Sequence, residues 1–134
     1  MANALFDPGR EGILDGTIAV SSDDIRAMLV KSTYSFSAAH KFITDLGSVD
    51  NGRSAALGSK TTTNGIFDAA DTTITATAAA ACASIITFKH TGSDATARLI
   101  SFDDTPASGL PFTPAASQVV NITWDNGANK IFKL

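Results

Sequence analysis

Apolar and polar positions alternate with a period of two through several short stretches of this chain, each bounded by turn formers. In "DDIRAMLVKS", Ile25, Ala27 and Leu29 fall on one face and Arg26, Met28 and Val30 on the other. That spacing predicts a strand covered on at least one side. "SIITFKH", "TGSDAT" and "ARLISFDD" read as strand, loop and strand of a hairpin. In "TTITATA", Ile74 and Ala76 alternate with Thr73, Thr75 and Thr77, a strand with one polar face. "SQVVNITWDNGANKIF" sets Val120, Ile122 and Trp124 on one face; the Asp125-Asn126-Gly127 turn then reverses the chain, so that Ile131 to Leu134 pair back. A terminus frays unless it is tied down, and sheet pairing would tie this one.

Other segments carry a different pattern. "NALFDPGREGILDG" puts Leu5, Phe6, Ile13 and Leu14 on one side of a short helix, with Asn3 as N-cap and Asp15-Gly16 as its stop. Pro8 and two glycines oppose a continuous helix. A second short helix is expected around Ala38 to Leu46, ending at Gly47. Tight turns are expected at Asp50-Asn51-Gly52 and at Asn64-Gly65. The four alanines Ala78 to Ala81 lie between two strand patterns and mark a close backbone approach or a turn. "TPASGLPFTPAA" holds three of the four prolines, which makes it a loop of extended character.

The fold class that follows is mainly β: a sandwich or barrel-like arrangement of antiparallel sheets with one or two short helices. At 134 residues the chain is read as one domain, 1–134, with residues 1–16 as an N-terminal segment. Twelve Asp against one Glu, with abundant Ala and Thr, is poor helix material and good strand-and-turn material. Trp124, Ile122, Phe88 and Leu99 are the expected core.

Charge and chemistry narrow the function classes. The net charge is −3 and the basic residues are scattered, so nucleic-acid binding is not expected. No basic segment followed by an apolar stretch opens the chain, and no run of about 18 apolar residues occurs, so neither a secretory signal nor a membrane span is expected. Cys82, alone among alanines, reads as a small buried hydrophobe, and no internal disulfide is possible. His40 and His90 lack the companions of a zinc site. The adjacent carboxylates Asp23-Asp24 and Asp103-Asp104 point to opposite faces of extended chain, so neither doublet is a catalytic pair. Asp68, Asp71 and "DNGAN" lack the ligand alternation of a calcium loop. No serine stands in a nucleophile elbow. No enzyme activity, cofactor or metal is expected, which leaves contact with other protein. Leu5 and Phe6, and Leu110 and Phe112, are the partner-contact candidates, because a lone domain would have difficulty burying apolar residues in those two segments. Deleting residues 1–8 is accordingly expected to spare the fold.

"NALFDPGREGILDG" (3–16), "DDIRAMLV" (23–30), "TGSDATARLISF" (91–102), "GLPFTP" (109–114) and "WDNGANKIFKL" (124–134) together resemble a family of small structural proteins of tailed bacteriophages, nearly end to end. The resemblance implies a virion component, made in the host cytoplasm, with no catalytic residues to carry over. The first expectation is a capsid decoration (cement) protein that binds the major capsid protein of the assembled head, as a symmetric homo-oligomer. A tail or head-to-tail accessory protein is the alternative, and a carbohydrate-binding module a lesser one.

Overall fold

The computed structural model describes residues 4–104 and 110–134. Its elements, in chain order, are β1 (Ala4–Leu5), α1 (Asp7–Asp15), β2 (Ile25–Lys31), β3 (Asp50–Arg53), β4 (Ile66–Phe67), β5 (Thr72–Thr75), β6 (Cys82–Lys89), β7 (Leu99–Asp103), β8 (Val119–Ile122) and β9 (Phe132–Lys133). One antiparallel sheet runs β1-β7-β6-β2-β3, and two short ribbons pair β4 with β9 and β5 with β8. Strands therefore dominate, as the alternation predicted, and the main sheet is open, ending at β1 and β3.

β2 and β6 form the centre and are covered on both faces. Ile25, Ala27, Leu29 and Ile85 pack on one side against Phe67, Ile74, Val120, Ile122 and Phe132 of the two ribbons and against Trp124 just beyond β8. Met28, Val30, Ile86 and Phe88 pack on the other against Phe6, Ile43, Leu46 and Val49, with Tyr34 and Phe36 at the margin. A strand whose two faces are both apolar is one that must be buried on both. The expected core residues Trp124, Ile122, Phe88 and Leu99 are all buried. Trp124 also satisfies its polar handle, donating from Nε1 to the Ala70 carbonyl at 3.1 Å.

Several local expectations change in three dimensions. Residues 43–46 form a short 3₁₀ turn rather than a helix beginning at Ala38, and it ends at Gly47 (φ 76°). Asn64-Gly65 is the tight turn expected, with both residues at positive φ. Asp50-Asn51-Gly52 is not a turn; it lies in β3, paired to β2 across a register shift. The Asp50 carboxylate does accept from the Gly52 amide at 2.8 Å, the local bond typical of turns. Tertiary packing overrides that signal. Gly52 has φ 125°, and a Cβ there would lie 2.4 Å from the Thr75 carbonyl oxygen of β5. Asn51, fully buried, donates to the Ala78 carbonyl and to Cys82 Sγ and accepts from the Ala78 amide. The alanine run is thus a close backbone approach, held by an asparagine far away in sequence.

The last hairpin is also redrawn. Gly127 N–H reaches the Asp125 side chain at 3.1 Å, but the turn itself lies further on, closed by Lys130 N–H to the Gly127 carbonyl at 3.3 Å, and the chain does not return to β8. β9 pairs instead with β4, Phe132 opposite Phe67, and β8 spends its bonds on β5. The terminus is tied into a sheet as expected, with a different partner.

Candidate functional site

The N-terminal helix is α1, Asp7–Asp15, with Pro8 in its first turn and Gly16 (φ 83°) closing it in the left-handed conformation. Asn3 lies outside the described residues, and Phe6 occupies the N-cap. Its two internal glycines, which oppose helix formation locally, are what let the helix sit down. A Cβ at Gly9 would stand 2.5 Å from the Leu99 carbonyl oxygen and 2.9 Å from Ile100 Cα, so α1 rests directly on the backbone of β7. A buried stripe of Gly9 and Gly12, with Ile13 beside it, turns Asp7, Arg10, Glu11, Leu14 and Asp15 outward. Leu14, placed by pattern on the apolar side, is 77% exposed. Successive helical residues are turned by about 100°, and the glycine stripe, not the leucine, marked the inner face.

Two of the four partner-contact candidates are corrected. Leu5 is buried in β1, paired with Ser101, and Phe6 is completely buried against the Phe36 ring, 5.2 Å away. Neither offers a surface to a partner, because the sheet edge and the second core absorb them. Residues 4–8 are therefore part of the fold, and a deletion of 1–8 would remove the β1 pairing and Phe6 from the core. Leu110 and Phe112 are half-buried and pack against the first core. Phe112 exchanges main-chain bonds with Cys82, at 2.9 and 3.0 Å, which fixes this part of the loop against β6. Residues 105–109 of that loop lie outside the described residues.

What the structure brings together is a pair of terminal segments that sequence reading kept apart. Ile13 of α1, Val20, Thr62, Gly65, Phe67, Phe132 and Leu134 line an apolar cleft of about 110 Å³. Each wall has a stated support. The Asp15 carboxylate accepts from the Thr17 amide at 2.8 Å and Asp23 accepts from the Ala19 amide at 2.8 Å, which order the segment that carries Val20. The Thr17 hydroxyl together with its amide holds the Asp15 carboxyl, and the Ala19 amide the Asp23 carboxyl, below the usual range. Phe67 and Phe132 stack with centroids 5.1 Å apart, and Leu134 N–H donates to the Gly65 carbonyl at 2.9 Å. The main chain of Leu134 is thereby pinned while its side chain is 51% exposed. On the outer face of α1, three carboxylates and one guanidinium surround Leu14.

The groups considered for chemistry have local partners. The Tyr34 hydroxyl and His40 Nδ1 are 2.9 Å apart. Asp24 is paired with Arg26, and Asp23 with Lys89 at 3.0 Å. Arg53 grips Asp94 with both terminal nitrogens at 2.8 and 2.9 Å and reaches Asp50 with Nε at 2.7 Å. Burial pushes the Cys82 thiol up, away from thiolate character. Among the described residues no cluster of three or more His, Cys, Asp or Glu is placed to hold a metal ion, and no helix is long and apolar enough to cross a membrane. Compared with known proteins, the chain matches no protein family, no curated protein and no solved structure.

Proposed function

We propose that this protein is a non-enzymatic structural component of a tailed-bacteriophage virion, and within the virion a decoration protein that binds the major capsid protein on the outside of the head. The observation that supports the reading is the apolar cleft at which the two terminal segments meet, lined by the half-exposed Leu134, with Leu14 exposed next in the chain to the cleft residue Ile13. Those segments also carry the two terminal motifs of the resemblance to virion proteins. An apolar cleft together with exposed leucines suits binding to a protein surface, where burying apolar area supplies the energy. The area is small, so one copy would bind weakly. Repetition over a lattice multiplies such contacts through effective concentration, particularly if copies are joined.

The experiment is to bind purified protein to isolated heads and count copies per particle. Decoration requires on the order of hundreds of copies per head, as a repeating lattice offers. Recovery of a few copies, with tails only, would move the protein to a tail or head-to-tail position. Leu14→Asp and Leu134→Asp should both weaken head binding while leaving the urea unfolding midpoint unchanged, because both side chains face solvent. If both variants occupy heads as wild type does, the cleft is not the contact surface.

A further inference from the structure

The ribbon of β5 and β8 leaves a sheet edge open. In an antiparallel ladder, residues alternate between those that bond to the neighbouring strand and those that turn N–H and C=O the other way. The Ala76 amide donates to the Gln118 carbonyl at 2.8 Å, just beyond the Thr75–Val119 pair. Gln118, Val120 and Ile122 therefore bond toward β5, and Val119 and Asn121 direct their main-chain groups to the far edge. Among the described residues nothing bonds to those groups, and β8 has β5 as its one partner strand.

Exposed edges are normally protected by a lysine, a proline, a bulge or a covering segment. β8 has none of the first three: from Ala115 to Trp124 the sequence "AASQVVNITW" carries no charge and no proline, and β8 pairs with β5 in unbroken register. Val119 on this edge is 58% exposed. The chain as a whole has net charge −3, so a neutral edge is the place where two copies meet without like-charge repulsion.

We propose that two copies of this chain pair edge to edge through β8, antiparallel about a two-fold axis at Val120, joining the two ribbons into one four-stranded sheet. The spacing is self-complementary. Val119 of one copy stands opposite Asn121 of the other, and each such pair exchanges both of its outward main-chain bonds, at the usual strand separation of about 4.8 Å. A four-residue edge buries less than the roughly 1,600 Å² of a standard interface, so a dissociation constant of about 10–100 μM is expected. This inference stands independently of the virion reading. A monomer would overturn it and leave the head-binding experiment intact.

Sedimentation of the full chain from about 1 to about 500 μM tests it, a range that brackets the expected constant. Wild type should pass from monomer to dimer, with the Asn121 amide exchanging more slowly as dimer forms. Val119→Lys places a charge on the edge without touching the core, and Val119→Pro removes an outward N–H that the β5 ladder does not use. Each should weaken dimerisation about tenfold or more. Trp124 fluorescence reports whether each variant is folded; should the proline variant fail to fold, the lysine variant decides. A wild-type protein that stays monomeric throughout overturns the proposal. So does a dimer equally tight in the lysine variant, or one lost only on Leu14→Asp.

Discussion

Replacing Asn51 by alanine probes a side chain whose contacts lie 27 and 31 residues away in sequence. The Asn51 amide donates to the Ala78 carbonyl and Cys82 Sγ, both at 3.1 Å, and accepts from the Ala78 N–H at 2.9 Å and the Thr77 hydroxyl at 3.1 Å. On truncation the Thr77 hydroxyl, which is exposed, turns to water, and the Ala78 carbonyl keeps its bond from the Ala80 amide. The part-buried Ala78 N–H is left without its acceptor, a cost toward the lower end of the roughly 1–3 kcal/mol for a buried group. The vacated amide volume adds a cavity cost beneath β6. Together these give about 2–3 kcal/mol, or a fall in Tm of roughly 8–12 °C for a chain of this length. Urea unfolding followed by Trp124 fluorescence measures it, with an unchanged m-value showing that the transition stays two-state. Asn51→Asp keeps the acceptor, loses both donations and buries a carboxyl, so its cost should be greater at about pH 7 than at about pH 4. A loss below about 1 kcal/mol for Asn51→Ala would refute the claim that this side chain anchors the alanine segment.

Four further outcomes are expected. Trp124→Ala should cost about 3–5 kcal/mol in urea unfolding, since it removes the largest fully buried side chain. Deletion of residues 1–8 should abolish cooperative unfolding or lower Tm strongly, because it takes away Phe6 and the β1 pairing; a truncated chain melting with wild type would restore these residues to the surface. Gly9→Ala should destabilise by more than about 1 kcal/mol despite alanine's better helix propensity, since the added Cβ meets the β7 backbone. Asp24, Asp45 and Asp94 have carboxyls held below the usual 3.8 by bonds from Arg26, from the Phe42 and Lys41 amides, and from Arg53 respectively. Folded values below unfolded ones mean that their contribution is complete above about pH 4 and is lost as the pH falls through the folded values. An acid titration of Tm should show that fall, and Arg53→Met should flatten the part owed to Asp94.

The sequence by itself determined the strands and much of the core. Alternation at Ile25 to Val30 and at Ile74 to Ala76, and the apolar face of Val120, Ile122 and Trp124, required sheets packed against one another, because period-two burial is a property of each segment alone. The Asn64-Gly65 turn and the stop at Gly16 were equally legible, since positive φ is a local demand. The partners of those elements were decided only by the tertiary structure. Pairing β9 with β4, drawing Asp50-Asn51-Gly52 into β3, burying Phe6 and exposing Leu14 all depend on segments tens of residues away. Gly9, Gly12 and Gly52 register that dependence as missing side chains where backbones touch, and a missing side chain has no pattern to read. The cleft was hidden for the same reason: its walls come from both ends of the chain and from the segment between Thr62 and Phe67, and nothing within any one of them encodes its distance from the others.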